Sequence, residues 1–362
     1  MDKKNIAVLF GGQSSEHEVS LVSASTIISN INKEKYNVIP MGITKKGKWL
    51  TYDGDVENIK NGSWEKDGIP AVISPDATQK CIIKINDGKA EIIPVDIVFP
   101  VLHGAWGEDG TIQGLLELAQ IPYVGCGVLA SAVSMDKYYT KIIAEDFGIT
   151  QARYIYVFEE EMPQIDKILD FSEKNLGYPV FVKPANAGSS VGITKAKDRE
   201  SLIKAIDLAL KHDRKVLIEE AIVGRELECA VLGDKENVIA SSVGEIIAGA
   251  EFYDYDAKYN NDDSRTIVNT ELPEGKKEEL QELAKKVFKA VDGSGLARVD
   301  FFMEEGTNRI IFNEINTMPG FTPISMYPML MENSGIAIKD LIEKMIDIAL
   351  NKKASVKFRE EV

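Results

Sequence analysis

The sequence predicts a protein that combines an α/β domain with α+β modules, and three observations support this fold class. Strand-like and helix-like periodicities alternate from the first residues onward, which is typical of α/β architecture. Strand-like runs multiply after Val216, as expected of an α+β module. The chain has 362 residues, of which 44% are apolar, enough for two or three domains with well-buried cores.

The first predicted element is a strand over residues 5–10, which leads through a Gly-Gly turn into a helix with apolar residues at helical spacing over 21–31. We expect these elements to open a parallel sheet. Ser15 and Glu18 have the spacing of a capping box, so Glu16 is expected in the first turn of the helix, beside backbone N–H groups. On this evidence alone, Glu16 complements the helix dipole.

A second apolar strand, over residues 95–102, ends at the segment HGAWGEDG, and a helix over 112–118 follows. Open α/β sheets bind ligands just past the carboxyl ends of their strands, so this segment is a candidate binding site. A domain boundary is expected near 124–127. A helix over 135–147 then begins a second module.

The rest of the chain is rich in strands. They are predicted over residues 178–183, 191–195, 216–220, 227–232, 238–243, 297–303 and 309–315. A helix with one apolar face over 280–291 should pack against them. The polar, tyrosine-rich stretch 249–264 is typical of a long functional loop. We therefore expect three domains, at residues 1–125, 126–218 and 219–362.

Composition argues against several classes of protein. A formal charge of −15, from 57 acidic and 42 basic residues, disfavours nucleic-acid and membrane-surface binding. No apolar run approaches the ~20 residues that span a bilayer, and the start MDKKNIAVLFGG lacks a signal-cleavage pattern, so a cytoplasmic protein is expected. Three scattered cysteines and three histidines argue against a disulfide framework and a zinc site.

Three glycine-rich motifs nearly match known signatures. GITKKGKW, at residues 42–49, lacks the hydroxyl residue and the following helix of a phosphate loop, so a hairpin turn is expected there. GCGVLA, at 125–130, follows a short strand that contains proline, which weakens a dinucleotide-binding interpretation. GSSVG, at 188–192, precedes a β-rich segment instead of the helix that follows a nucleophile elbow.

The strongest chemical signal is the segment ARVDFFMEEGTNRIIFNEINTMPG. Strand alternation puts Arg298 and Asp300 on one face of its first strand, and Glu314 and Asn316 on one face of its second. The acidic and amide side chains offer oxygen ligands that suit magnesium. Arg298 can stabilise a developing oxyanion or phosphoryl charge. A solvated hairpin face explains one carboxylate, but it explains four interleaved polar groups poorly.

Two further segments suit a nucleotide. PANAGSSVG has small residues whose backbone N–H groups can close over phosphates, with Lys183 just before it, although a plain turn is an equal alternative. IEEAIVGRELE places Glu219, Glu220 and Glu226 near a strand end. There they can accept hydrogen bonds from an adenine amino group or ribose hydroxyls, or form only a solvated acidic face.

Together these segments resemble the ATP-grasp superfamily and, within it, the D-alanine:D-alanine ligase family. The resemblance is carried, in the family's order, by GGQSSEHEVS, LHGAWGEDGTIQG, SAVSMDK, VKPANAGSSVG, FYDYDAKY, RVDFF and NEINTMPGFTPIS. It implies an ATP-grasp fold: an N-terminal parallel-sheet α/β domain followed by two α+β modules that clasp ATP.

The resemblance also implies an activity. Two D-alanines would be joined to D-alanyl-D-alanine through an acyl phosphate, with ATP, for peptidoglycan precursor synthesis. The alternative is a D-alanine:D-serine or D-alanine:D-lactate ligase of altered cell-wall synthesis. The expected partners are the small-molecule substrates D-alanine and ATP and a second copy of the chain in a homodimer, without nucleic acid or membrane.

Individual roles follow from the same resemblance. The residues implied to hold ATP are Lys137, Lys183, Lys258, Glu219, Glu220, Ile222 and Glu226. The residues implied to hold two Mg²⁺ ions, with Mn²⁺ as a substitute, are Asp300, Glu314 and Asn316. Those implied to bind the amino-acid substrates or to assist the chemistry are Glu16, His103, Ser189, Tyr259, Arg298, Gly320, Ser325 and Met326.

Within that last group, Glu16 would bind the ammonium of the first D-alanine and His103 would lie near its carboxylate. Arg298 and the Gly320 N–H would form the oxyanion site, and Ser325 would hold the carboxylate of the second substrate. Hydrogen bonds among Glu16, Ser189 and Tyr259 would tie a lid loop over the D-alanine site, and Met326 would face the side chain of the second substrate.

Overall fold

The computed structural model describes residues 3–188, 191–234, 236–247 and 265–352. Within these ranges the strands form three sheets, with the orders β6-β5-β4-β3-β2-β1-β7, β10-β9-β11-β8 and β14-β13-β12-β15-β16. Strands β1 to β7 span Lys4–Gly11, Tyr36–Ile43, Trp49–Thr51, Ile69–Ile73, Cys81–Asn86, Lys89–Pro94 and Ile97–Pro100. Strands β8 to β11 span Tyr154–Phe158, Val180–Pro184, Thr194–Ala196 and Lys215–Glu220. Strands β12 to β16 span Gly224–Gly233, Val238–Ile247, Arg265–Ile267, Gly295–Glu304 and Ile310–Asn316.

Ten α-helices lie in the described ranges. Helices α1 to α5 span His17–Asn30, Val56–Lys60, Thr111–Ala119, Val128–Met135 and Lys137–Asp146. Helices α6 to α10 span Ile165–Asn175, Arg199–Ala209, Lys276–Ala290, Met326–Asn333 and Ile338–Asn351. None of them is long and apolar enough to cross a membrane.

The centre of the N-terminal sheet is parallel, as predicted, because β1 pairs in parallel with both β2 and β7. The antiparallel extension through β3, β4, β5 and β6 was not predicted. The predicted hairpin turn in GITKKGKW is confirmed, since β2 and β3 flank it and pair antiparallel. The two smaller sheets are antiparallel throughout.

Two predicted helix starts were wrong. The first helix begins at His17 with Glu16 as its N-cap and has no side-chain cap, so there is no capping box. The Ser14 hydroxyl accepts a hydrogen bond from the Glu16 N–H and holds the turn before the helix. The helix predicted over 135–147 is two helices, because the Asp136 side chain accepts from the N–H groups of Tyr138 and Tyr139 and starts α5.

The core joins parts of the chain that are distant in sequence. Helix α10, near the C-terminus, buries Leu341 and Met345 in the same hydrophobic cluster as Ile6 and Phe10 of β1. A second cluster packs α8 against the five-stranded sheet, and a third fills the four-stranded sheet. The boundaries at 125/126 and 218/219 stay predictions.

Candidate active site

One face of the antiparallel pair β15–β16 forms the centre of the site. Arg298 lies opposite Asn316, and Asp300 lies opposite Glu314. Because side chains two residues apart on a strand share a face, the structure brings these four residues together. Arg298, Glu314 and Asn316 line a cleft, and Asp300 is buried beside it.

Arg298 is held by carboxylates. Its Nε and Nη2 donate to Oδ1 and Oδ2 of Asp300 at 2.8 and 2.7 Å, a two-pronged arrangement that fixes the guanidinium plane. The Asn316 amide donates to Asp300 Oδ2 at 3.1 Å. Burial opposes the charge of Arg298, but Asp300 and Glu228 hold the pKa of the guanidinium well above its ordinary value. The cleft therefore contains a fixed cation.

Glu228 is a site residue that sequence analysis missed. It lies on β12 opposite Asp300, lines the cleft, and places Oε2 3.3 Å from Arg298 Nε. Its only sequence signal is its position on the strand predicted over 227–232, two residues after Glu226, because extending the strand by one residue puts both side chains on one face.

The N-terminal domain contributes Glu16 and His103 to the same cleft. His103 is buried, with Nδ1 2.8 Å from the Met318 carbonyl oxygen and Nε2 3.2 Å from Ser23 Oγ. Burial lowers the pKa of His103, which favours the neutral ring. Gly104 follows in a left-handed conformation with φ +70, and a Cβ there would lie 2.7 Å from a Glu16 carboxylate oxygen. The glycine therefore leaves room for Glu16.

Glu108 was also missed, although it lies in the segment HGAWGEDG. Its carboxylate accepts from the N–H of Gly104 at 2.8 Å and from the N–H of Met318 at 2.9 Å. It thus connects the loop after β7 to the loop after β16. Burial and the charge of Glu16 raise the pKa of Glu108 to about 8.

The predicted second-substrate residues Gly320, Ser325 and Met326 also line the cleft. Ser325 Oγ accepts from the N–H of Thr322 at 3.0 Å. It lies at the N-cap of α9, but its side chain makes no cap hydrogen bond. A Cβ on Gly320 would lie 2.8 Å from Ser325 Oγ, so this position leaves little space for a side chain.

Two of the predicted nucleotide lysines, Lys137 and Lys183, lie on elements that flank the cleft. Lys137 Nζ donates to the Ala187 carbonyl oxygen at 2.8 Å and lies 3.3 Å from Glu314 Oε2, so it connects the PANAGSSVG segment to β16. Lys183 Nζ lies 2.5 Å from Glu219 Oε2. Burial opposes ionisation of Glu219, but Lys141 and Lys183 outweigh it and lower its pKa to about 2.

The remaining residues predicted to bind adenine and ribose lie at the end of β11, on β12 and in the segment that joins these two strands. The Glu220 carboxylate accepts from Arg153 Nε at 2.7 Å and from the Arg153 N–H at 2.8 Å, so its side chain is held by a neighbouring residue. Ile222 lies in the segment between β11 and β12, and Glu226 is half-buried on β12. Ser189, Lys258 and Tyr259 lie outside the described residues.

Comparisons with known proteins identify the family. A family model described as D-ala D-ala ligase N-terminus matches residues 5–126, and one described as D-ala D-ala ligase C-terminus matches residues 143–347. The D-alanine--D-alanine ligase of Caldicellulosiruptor bescii is 52% identical over 365 aligned residues that cover 100% of both chains. This chain belongs to the D-alanine:D-alanine ligase family. The ligase of Acetivibrio thermocellus is 54% identical and covers 97% of each chain.

Solved structures of ligases share the fold. The VanG D-Ala:D-Ser ligase from Enterococcus faecalis is 42% identical with a TM-score of 0.88, covering 96% of this chain and 100% of that one. The D-alanine-D-alanine ligase from Coxiella burnetii is 36% identical with a TM-score of 0.83, covering 97% and 95%. The chain therefore has the ATP-grasp fold that its motifs predict, and its ligase family uses ATP.

The candidate metal ligands are chemically suited to a hard cation. Asp300, Glu314 and Asn316 provide carboxylate and amide oxygens on one face of two paired strands. Among the described residues, no three His, Cys, Asp or Glu side chains converge as a protein-only metal site. Mg²⁺ bound through one or two carboxylates together with substrate phosphates needs no such cluster. The donor set therefore fits magnesium.

Proposed function

We propose that this chain joins two D-alanine molecules to D-alanyl-D-alanine with ATP, through an acyl phosphate. One observation carries this proposal: a fixed guanidinium, Arg298, shares a cleft with an acidic residue suited to an ammonium group, Glu16, and with residues suited to a second amino acid. A pure nucleotide-binding protein has no need of this arrangement. The product would serve peptidoglycan precursor synthesis.

The chemistry requires activation of a carboxylate. Oxide is too poor a leaving group for an amine to displace from a carboxylate at neutral pH, so the γ-phosphoryl group of ATP is transferred to the first D-alanine. The amine of the second D-alanine then attacks the acyl carbon, the tetrahedral oxyanion collapses, and phosphate leaves. Arg298 and the Gly320 N–H are proposed to stabilise the oxyanion.

Asp300, Glu314 and Asn316 are proposed to hold two Mg²⁺ ions. When bound, such ions neutralise phosphate charge and orient the transferred group. Lys137, Lys183 and Lys258 are proposed to bind the phosphates. Glu219, Glu226 and the backbone around Glu220 and Ile222 are proposed to bind adenine and ribose.

Glu16 and His103 are proposed to bind the ammonium and carboxylate of the first D-alanine, and Ser325 to bind the carboxylate of the second. Ser189 and Tyr259 are proposed to tie a lid to Glu16, because water would hydrolyse an acyl phosphate in an open site. The homodimer and the cytoplasmic location stay predictions from the sequence.

The second substrate is proposed to be D-alanine. Met326 is buried in the cleft wall against Gly244, whose missing side chain gives the Met326 methyl group its space. An apolar wall fits a methyl group and offers no partner to a hydroxyl group. Such a wall rejects an added hydroxyl only by about 100-fold, so minor D-serine incorporation is expected at high concentration.

The test is phosphate release with ATP, magnesium and D-amino acids, followed by mass spectrometry of products formed when D-alanine competes with equal D-serine or D-lactate. D-alanyl-D-alanine as the main product supports the proposal. A mixed dipeptide or a depsipeptide as the main product would refute D-alanine as the second substrate but would still support a ligase activity. No phosphate release with any amino acid would refute the function.

A further inference from the structure

Lys141 is a buried cation to which the function proposed above gives no role. It lies on α5 one helical turn after Lys137, and its side chain is only 3% exposed. Its Nζ is 2.5 Å from Glu219 Oε1 and 5.1 Å from the centroid of the Tyr154 ring. Gln151 Nε2 also donates to the Lys141 carbonyl oxygen at 2.8 Å. Both ends of the residue are therefore fixed.

Two lysines contact the single carboxylate of Glu219, one at each oxygen. Lys183 alone lies 2.5 Å from the other carboxylate oxygen of Glu219 and would balance its charge. Burial of a second ammonium group is costly, with an effective penalty of several kcal/mol per ion. Burial lowers the pKa of Lys141 despite the attraction of Glu219, which agrees with such a cost. The burial of a second lysine beside Glu219 therefore calls for a functional explanation.

The second lysine is explained if Lys183 moves away from Glu219 when a nucleotide binds. Besides Glu219, it contacts Asn313 Oδ1 at 3.3 Å, next to Glu314 of the cleft. If Lys183 turns toward nucleotide phosphates, a Glu219 without another partner would be an uncompensated buried charge, which costs several kcal/mol.

We propose that Lys141 is a positioning residue for nucleotide recognition. It holds the Glu219 carboxylate in place to accept a hydrogen bond from the adenine amino group while Lys183 binds phosphate. This inference rests on the nucleotide roles proposed above for Glu219 and Lys183. The ammonium group of Lys141 contacts Glu219 and its side chain is almost fully buried, so we assign its effect to Glu219 and not to contact with the nucleotide.

The test measures base discrimination by direct binding. Calorimetry without D-alanine gives the Kd of the wild type and of Lys141→Met for ATP and for purine riboside triphosphate, which lacks the 6-amino group. A hydrogen bond to a charged group contributes about 1.5–3 kcal/mol, so the wild type should prefer ATP by about 10- to 150-fold. We expect Lys141→Met to lose most of this preference.

A double mutant separates positioning from general electrostatics. Glu219→Gln should also reduce the preference, and adding Lys141→Met to it should change the ratio of the two Kd values little, because Lys141 acts through Glu219. Lys141→Arg, which keeps the cation, should restore much of the preference. Lys204→Met, which removes an exposed lysine paired with Glu200, is the matched control and should leave the ratio unchanged.

The outcomes are distinct. Equal loss of affinity for both nucleotides in Lys141→Met, with the ratio intact, would overturn the proposal, as would failure of both Lys141 variants to fold by circular dichroism. A wild-type ratio near one would refute adenine recognition by Glu219 and the inference with it. Normal discrimination in a wild type that forms no dipeptide would refute only the ligase function.

Discussion

At the scale of single residues, the site depends on ion pairs between charged side chains that fix each other's position. Asp300 is both a proposed metal ligand and the carboxylate that fixes the guanidinium of Arg298. Two proposed functions therefore meet in one side chain. A change that keeps its volume but removes its charge should affect chemistry far more than folding.

We predict that Asp300→Asn lowers ligase turnover by at least about 100-fold, the loss typical for one electrostatic element of a transition-state site. Phosphate release measures turnover, and thermal unfolding measures the fold. Glu304→Gln is the matched control, because Glu304 ends the same strand but pairs with Arg309 on an exposed hairpin. Near-normal turnover in Asp300→Asn would remove Asp300 from the site.

Glu219 makes stability depend on pH. Its folded-state pKa of about 2 lies below the ordinary value of 4.5, so its stabilising contribution is complete above that value and is lost as pH falls toward 2. We predict that Glu219→Gln lowers the thermal midpoint at neutral pH, since it removes the carboxylate that Lys141 and Lys183 both contact, a change that costs about 3–5 kcal/mol.

The difference between the thermal midpoints of the wild type and Glu219→Gln should narrow as the pH falls below 4.5. Thermal unfolding followed by circular dichroism over this range measures the difference. Glu200→Gln, which removes an exposed ion pair with Lys204 on a helix, should show no comparable effect. A difference that stays constant with pH would contradict the low pKa of Glu219.

At the scale of elements, the start of α5 positions Lys137, which lines the cleft, and Lys141, which contacts Glu219. Asp136 caps the helix, accepts from Asn186 Nδ2 at 3.3 Å and pairs with the buried Lys215. Because Lys137 and Lys141 lie in the same helix, the cap connects helix stability to nucleotide binding.

We predict that Asp136→Ala destabilises the protein by about 3–5 kcal/mol, mainly because Lys215 is left as an unpaired buried charge and secondarily because a cap worth about 1 kcal/mol is lost. It should also raise KM for ATP. Asp198→Ala, the same change at the exposed cap of α7, should cost only the cap and leave KM unchanged. Urea unfolding and steady-state kinetics distinguish the two, and equal effects of both variants would contradict the prediction.

At the scale of the whole molecule, α10 connects the end of the chain to its beginning. Leu341 of this helix is fully buried in a cluster with β1, whereas Leu118 of α3 is 69% exposed. We predict that Leu341→Ala lowers the free energy of unfolding by about 2–5 kcal/mol, because it leaves a cavity in a packed core.

Leu118→Ala is the matched control and should change stability by no more than about 0.5 kcal/mol. Urea unfolding measures both variants. Similar small effects would mean that α10 contributes little to the N-terminal core.

The four polar residues that sequence analysis placed together on the central strands share a local pattern. Arg298, Asp300, Glu314 and Asn316 converge because strand alternation is a property of neighbouring residues, and it fixes which side chains share a face. The parallel centre of the first sheet followed from local periodicity in the same way. The short strands β3 to β6 were missed, because such short, partly exposed runs carry little periodic signal.

The sequence by itself determined the family, the ATP-grasp fold and which side chains share a face of the central strands, because motifs and periodicity are local. Only the tertiary structure revealed that Glu108 and Glu228 line the cleft and that Lys141 pairs with Glu219. Lys141 and Glu219 are 78 positions apart, and no local pattern in the sequence indicates that they pair. Their burial and pairing depend on how α5 packs against β11, and nothing in the residues beside either one specifies that packing.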